Sequence, residues 1–154
     1  MPLVDLARTG GVLGAQLPGG FQGILLRRSS SQLIPDATPS AISWQTVVYN
    51  IGGWFTGAPT LVIVPAGVSR VRMFAAATWD STLGTLHTLR YIKNGAFGGL
   101  PVSALAPTVL EQSIGSAVIE VIPGDTLSMG VLHDGGGAVN ILTTTTQFGV
   151  EAVR

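Results

Sequence analysis

The feature that most constrains this chain is the alternation in residues 68–79. Val71, Met73, Ala75, Ala77 and Trp79 fall on one side of an extended backbone, and Arg70, Arg72 and Thr78 fall on the other. A period of two sustained over that length specifies a strand with one buried face. Shorter stretches read the same way. Residues 42–49 (ISWQTVVY) are β-branched and aromatic and end at Asn50, Gly52 and Gly53. Residues 60–64 (TLVIV) are apolar on both faces and stop at Pro65, which predicts a strand covered on both sides. Residues 86–93 end at Asn94-Gly95, a pair that favours the tight hairpin turn. Residues 116–122 place Ala117, Ile119 and Val121 inward, and residues 126–132 do the same with Leu127, Met129 and Val131. The last strand runs through 139–150, with Leu142, Phe148 and Val150 on one face. Seven or eight short strands with turn residues at near-regular spacing predict an all-β sandwich or jelly roll.

Two segments break the pattern. Residues 1–40 carry Gly pairs, Ser29-Ser30-Ser31 and four prolines, with no sustained period. They are expected to form an extended N-terminal arm, and residues 41–154 the folded domain. The arm is expected to lie on another chain through Leu3, Val4, Leu6, Val12, Leu13, Leu17 and Phe21, with Arg27 and Arg28 pinning an acidic patch or the capsid-facing side of a partner, or else forming a solvated pair. Residues 95–113 form the one long irregular segment, with room for a short helix at 103–112.

Charge then limits function. The chain holds eight basic and eight acidic residues among 154, where about 38 charges are usual for this length. Its mean hydropathy is +0.49. Apolar surface must therefore be hidden in a membrane, a partner subunit or an assembly. No run approaches the roughly 20 apolar residues of a membrane span. Residues 1–20, with Asp5, Arg8 and two Gly pairs, lack the pattern of a signal peptide. Burial against protein is the expectation, with no membrane insertion. A net charge of zero gives nucleic-acid binding no support. The absence of cysteine removes disulfides, thiolate nucleophiles and cysteine-ligated zinc.

Catalytic constellations are weak. His87 and His133 have no HxH or HExxH partner, and the acids are scattered singly. Ser81, His87 and Asp80 make a triad only on paper, with no nucleophile-elbow sequence around the serine. Asp125 and Asp134 sit in turns, where the side chain stabilises the bend. The glycine clusters do not lead from a strand into a helix, so they predict no phosphate loop. The expectation is a non-enzyme with no cofactor and no metal. Trp44, Trp54 and Trp79 are expected in the core, with Trp54-Phe55 as an alternative surface anchor.

Residues 42–134 resemble the C1q/TNF-type jelly roll in the order of their features. ISWQTVVYNIGGWF (42–55) is a strand followed by an aromatic-bearing turn, and LVIVPAGVSRVRMFAAATW (61–79) is an apolar strand, Pro, Gly and a long alternating strand. LRYIKNG (89–95) resembles the strand ending in Lys-Asn-Gly, PGDTLSMGVLHDGG (123–136) the Gly-Asp strand opening, and QFGV (147–150) the closing strand. The resemblance implies a ten-stranded sandwich that trimerises around an apolar axis. Val62, Val64 and Phe74 are the candidate axis residues. A collagen-like stalk and a signal peptide are missing, which sets the chain apart from secreted C1q proteins and cytokines and makes it similar to the jelly-roll domains of bacteriophage virion proteins.

That resemblance implies a phage virion structural protein: a trimeric capsid decoration or cement protein. Its partners would be its own copies and the major capsid protein or another virion protein. It would be assembled in the host cytoplasm and located on the capsid surface. Loss of residues 1–30 would leave a folded trimer that no longer binds particles. The alternative is a receptor-binding head-fibre or tail-fibre tip for a host surface ligand, with Phe97, Leu100, His133 and Asp134 as its ligand residues. The low charge further forecasts a poorly soluble monomer and a soluble oligomer.

Overall fold

A computed structural model describes residues 20–55, 57, 59–80, 85–106, 109–115 and 118–153. The described strands are β1 Gly23–Arg27, β2 Gln32–Ile34, β3 Ser40–Ala41, β4 Thr46–Ile51, β5 Val62–Ile63 and β6 Arg70–Asp80, then β7 Thr85–Lys93, β8 Ala96–Ala106, β9 Val109–Gly115, β10 Ile119–Glu120, β11 Thr126–His133 and β12 Val139–Ala152. They form two sheets. The seven-stranded sheet runs β10-β6-β12-β1-β4, with β9 beside β6 and β2 beside β12; the five-stranded sheet runs β3-β11-β7-β8, with β5 beside β11. Every pairing is antiparallel.

The predicted alternation of β6 is what holds the sheets together. Val71, Met73, Ala75, Ala77 and Trp79 are all buried against the second sheet, which answers with Leu127, Met129 and Val131 from β11 and Leu89 and Tyr91 from β7. All three tryptophans are core residues, and Trp54 is completely buried rather than a surface anchor. Its indole donates to the Ile51 carbonyl at 3.1 Å, and its own N–H bonds to Asn50 Oδ1 at 2.9 Å. Buried polar groups are tied between sheets. The Tyr91 hydroxyl lies 2.7 Å from the Ile114 carbonyl and 3.0 Å from that of Met73. Trp79 Nε1 donates to Gln112 Oε1 at 2.7 Å, and Gln112 Nε2 donates to the His87 carbonyl at 3.0 Å.

Three expectations change. The sandwich does not begin at residue 41. β1 lies between β12 and β4, with Ile24 and Leu26 completely buried, so residues before 40 supply an interior strand. Removing residues 1–30 would open the sheet instead of releasing an arm. The described residues of the 95–113 segment form strands β8 and β9, in place of the expected loop with a short helix at 103–112. Asn94 and Gly95 join β7 to β8 with φ of 50° and 77°, as the expected turn requires. Lastly, Ile141 rather than Leu142 enters the core. Leu142 opposes Thr78 and Gln147 opposes Ala76, so residues 143–146 bulge out opposite Ala77 alone. Three surplus residues reverse the side-chain parity on either side of the bulge.

Candidate functional site

Burial of alternate positions leaves the other half of each strand facing outward, and on the seven-stranded sheet an apolar row crosses that outer face. Leu25, between the buried Ile24 and Leu26, opposes Tyr49 on one side and Gly149 on the other. Gly149 opposes Phe74, and Phe74 opposes Gly115. One row thus crosses β9, β6, β12, β1 and β4 as Gly115, Phe74, Gly149, Leu25 and Tyr49. The adjoining row is Arg72, Glu151, Gly23 and Ile51. Aromatic rings cover two of the glycines: Phe21 leans over Gly23 and Phe74 over Gly149. Phe21 also meets Tyr49 edge-on, with centroids 5.7 Å apart.

The face continues to the open edge of the sheet. Phe21 is 52% exposed and Ile51 49%; farther along the same edge strand Val48, in the bulge, and Val47, opposite the inward Leu26, are exposed as well. An edge strand presenting large apolar side chains and unpaired backbone is a surface made for another chain. One ion pair borders it, Arg72 to Glu151 at 3.5 Å, well exposed and so of little energetic weight. Burial first, and the Glu151 charge second, push the Tyr49 phenol above its usual pKa.

The candidate residues divide sharply. Leu3, Val4, Leu6, Val12, Leu13 and Leu17 lie outside the described residues. Phe21 and Arg27 are exposed. Arg28 is buried and donates to the Ser30 carbonyl at 2.9 Å, to Gln32 Oε1 at 2.7 Å and to the Ser43 carbonyl, so it fastens its own chain instead of pinning a partner. Val62 and Val64 are buried within a single chain and have no surface to offer a trimer axis. Val62 faces the core from β5, which pairs with β11 in the five-stranded sheet, and Val64 follows it into the core, whereas Phe74 sits half-buried on the outer face.

The ligand candidates divide as well. Phe97 is 50% exposed on β8, and the side chain of Leu100 lies outside the described residues. His133 is fully buried, with Nε2 at 2.9 Å from the Ile34 carbonyl and Nδ1 accepting from the Gly135 N–H at 3.3 Å. Asp134 Oδ1 accepts the Leu86 N–H at 2.8 Å. Both residues fasten the turn, His133 from the interior and Asp134 from the exposed surface. Of the paper triad, Ser81 lies outside the described residues, and His87 is fully buried with its ring 4.5 Å from that of Trp79. Among the described residues no three His, Asp or Glu side chains cluster as metal ligands.

The ends of the sandwich differ. The Ala152 N–H bonds to the Gln22 carbonyl and that of Val153 to the Arg70 carbonyl, both at 2.9 Å, so the first and last described segments leave side by side. The same end carries a polar knot. Asp125 accepts from Asn94 Nδ2 at 2.8 Å, from the Ile122 N–H at 3.0 Å and from Lys93 Nζ at 3.0 Å. Those bonds, the one from Asn94 foremost, hold its carboxyl at a pKa of about 2. The 134–137 turn lies at the opposite end of β11.

No protein-family model matches the chain, and no curated protein does. Solved structures do. Murine APRIL at pH 5.0 superposes with a TM-score of 0.65 over 87% of this chain and 100% of its own, at 12% identity. The globular domain of zebrafish complement 1qA protein gives 0.62 over 86% and 98%, at 13% identity. Eiger TNF from S. frugiperda gives 0.57 over 87% and 93%, at 15% identity. At such identities the likeness is one of fold, and the two-sheet sandwich described above is the C1q/TNF jelly roll.

Proposed function

We propose that the protein is a virion structural component that assembles as a homotrimer through the outer face of its seven-stranded sheet. The residues preceding β1 then anchor the trimer to the major capsid protein or another virion protein. The observation that carries this reading is the row Phe74, Leu25 and Tyr49 with the exposed Ile51 and Phe21 beside it. A chain with sixteen charges cannot leave that face in water without a solubility cost. Three copies meeting on it bury the surface that the low charge implies. Both described termini leave from one end, so a threefold arrangement about that face sends all three N-terminal segments toward the same partner.

Equilibrium sedimentation is the first test. The wild type is expected at three times 15.9 kDa, and Phe74→Glu at the monomer mass. Removal of residues 1–19, which spares β1, is expected to leave the trimer intact and abolish particle decoration. Full decoration by the truncated protein would sink the anchoring role.

A further inference from the structure

The opposite face, on the five-stranded sheet, holds a different kind of surface. Leu89 and Tyr91 point into the core, so Arg90 between them faces outward. On β11 its register partner is Gly130, which has no side chain. A Cβ at Gly130 would stand 2.7 Å from Ile92 Cδ1 and 3.0 Å from Phe97 Cε1, so glycine is what lets those two side chains lean in beside Arg90. On its other flank, Leu89 pairs with Val102 and Tyr91 with Gly98, so β8 bulges by residues 99–101 opposite Arg90 alone. Bulges on edge strands commonly accompany binding sites. The result is a slot of about 40 Å³ bounded by Arg90, Phe97, Gly130, Thr88, Leu132 and Pro39.

The arginine in that slot is unusually placed. Its guanidinium carbon lies 5.5 Å from the centroid of the Phe97 ring. Its Nε is buried without a hydrogen-bond partner, and it belongs to none of the ion pairs among the described residues. A covered donor left unpaired is costly, and a carboxylate is the acceptor that fits a guanidinium best. One water occupies about 10–15 Å³ of such space, so the slot holds a group of a few heavy atoms and not a whole ring. The rest of any ligand must lie outside, where Phe97 is half-exposed.

We propose that this face binds a carboxylated sugar, with its carboxylate in the slot on Arg90 and its ring against Phe97. The site is independent of the virion reading, because it uses the sheet face opposite the assembly surface.

Three probes separate the two halves of the site. Glucuronate carries both groups, glucose only the ring, and glutarate only carboxylates. Titrated into the full-length protein at fixed salt, glucuronate is expected to shift the amide resonances of Arg90, Phe97 and Gly130. It is expected to bind roughly tenfold tighter than either control. Arg90→Gln should abolish the difference between glucuronate and glucose. Phe97→Ala, an exposed position that leaves the core intact, should abolish the difference between glucuronate and glutarate. Equal binding of glucuronate and glucose would remove Arg90 from the site. Equal binding of glucuronate and glutarate would point to an acidic side chain of a protein partner and overturn the sugar. Absence of shifts at all three residues would overturn the site itself.

Discussion

The ring of Phe74 lies across Gly149, so closely that a methyl group at Gly149 would overlap it. Glycine in the middle of a long strand costs backbone entropy and packs nothing by itself. Here the ring of the neighbouring strand fills the vacancy and presents a flat apolar surface at the centre of the outer face. Gly149→Ala must swing the ring outward. The expected result is destabilisation of about 1–3 kcal/mol from overpacking and a trimer that dissociates at roughly tenfold higher protein concentration. In a Phe74→Ala background the same substitution has nothing to displace. A double-mutant cycle in urea should therefore give a coupling of about 1 kcal/mol or more. Additive effects would show that the ring and the glycine act separately.

Tyr91 joins the two layers. Its hydroxyl, on β7 of one sheet, sits against the carbonyls of Ile114 on β9 and Met73 on β6 of the other. Burial raises the phenol pKa, so it stays protonated and keeps donating. Tyr91→Phe preserves the packing and strips the donor. A loss of about 1–2 kcal/mol is expected, the worth of a buried hydrogen bond whose acceptor stays dry. Urea denaturation of both proteins at one concentration reads it. An unchanged midpoint would mean that water replaces the hydroxyl.

Much of this architecture is visible in the residues alone, and the largest gap, β1, has a plain cause. β6 and β11 alternate because one face is buried and the other, Phe74 and Leu132 apart, is polar or small, and Asn94-Gly95 announces its turn through the backbone it must adopt. β1 reads GILLR, with three apolar residues in a row, because Ile24 and Leu26 feed the core while Leu25 feeds the outer face. Two apolar faces erase the period, so a strand between two neighbours looks like part of an arm. The same double demand disguises the candidate interface. Phe74 and Val62 are equally hydrophobic in the sequence, and only the fold sends one outward and the other inward. Arg90 carries no signal in the sequence, because a lone arginine in an alternating strand reads as ordinary solvent-facing polarity. Gly130, its register partner, is the clue to the slot, and register is not written in either strand.

Thr145 and Thr146 carry a second consequence of the fold, because their hydroxyls repair the backbone of the bulge. Thr146 is buried, donates from Oγ1 to the Leu142 carbonyl at 2.6 Å and accepts the Thr78 N–H at 3.2 Å. Thr78 and Thr145 hydroxyls bond beside it. Thr146→Val keeps the shape and leaves a buried carbonyl and a buried N–H unpaired. The expected cost is about 3 kcal/mol, two unsatisfied groups at 1–3 kcal/mol each with partial relaxation. Thr146→Ser keeps the oxygen and should recover most of it. Amide exchange at Thr78 should quicken in the valine variant and not in the serine one.

The acid limb of stability should belong in large part to Asp125. Its carboxyl titrates near 2 when folded, against an ordinary value of 3.8, because the bonds from Asn94, the Ile122 N–H and Lys93 favour the charged form. Between those values the unfolded chain binds the proton and the folded chain does not. Stability therefore rises with pH across that window, is complete above about 4, and is lost as pH falls through about 2. Asp125→Asn removes the titration, and it also leaves Lys93 without its carboxylate. The variant should be less stable than wild type at neutral pH, and the two melting temperatures should converge as the pH is lowered from 4 to 2. Melting curves across that range decide the matter. Parallel lines for the two proteins would show that the acid sensitivity lies in another carboxylate.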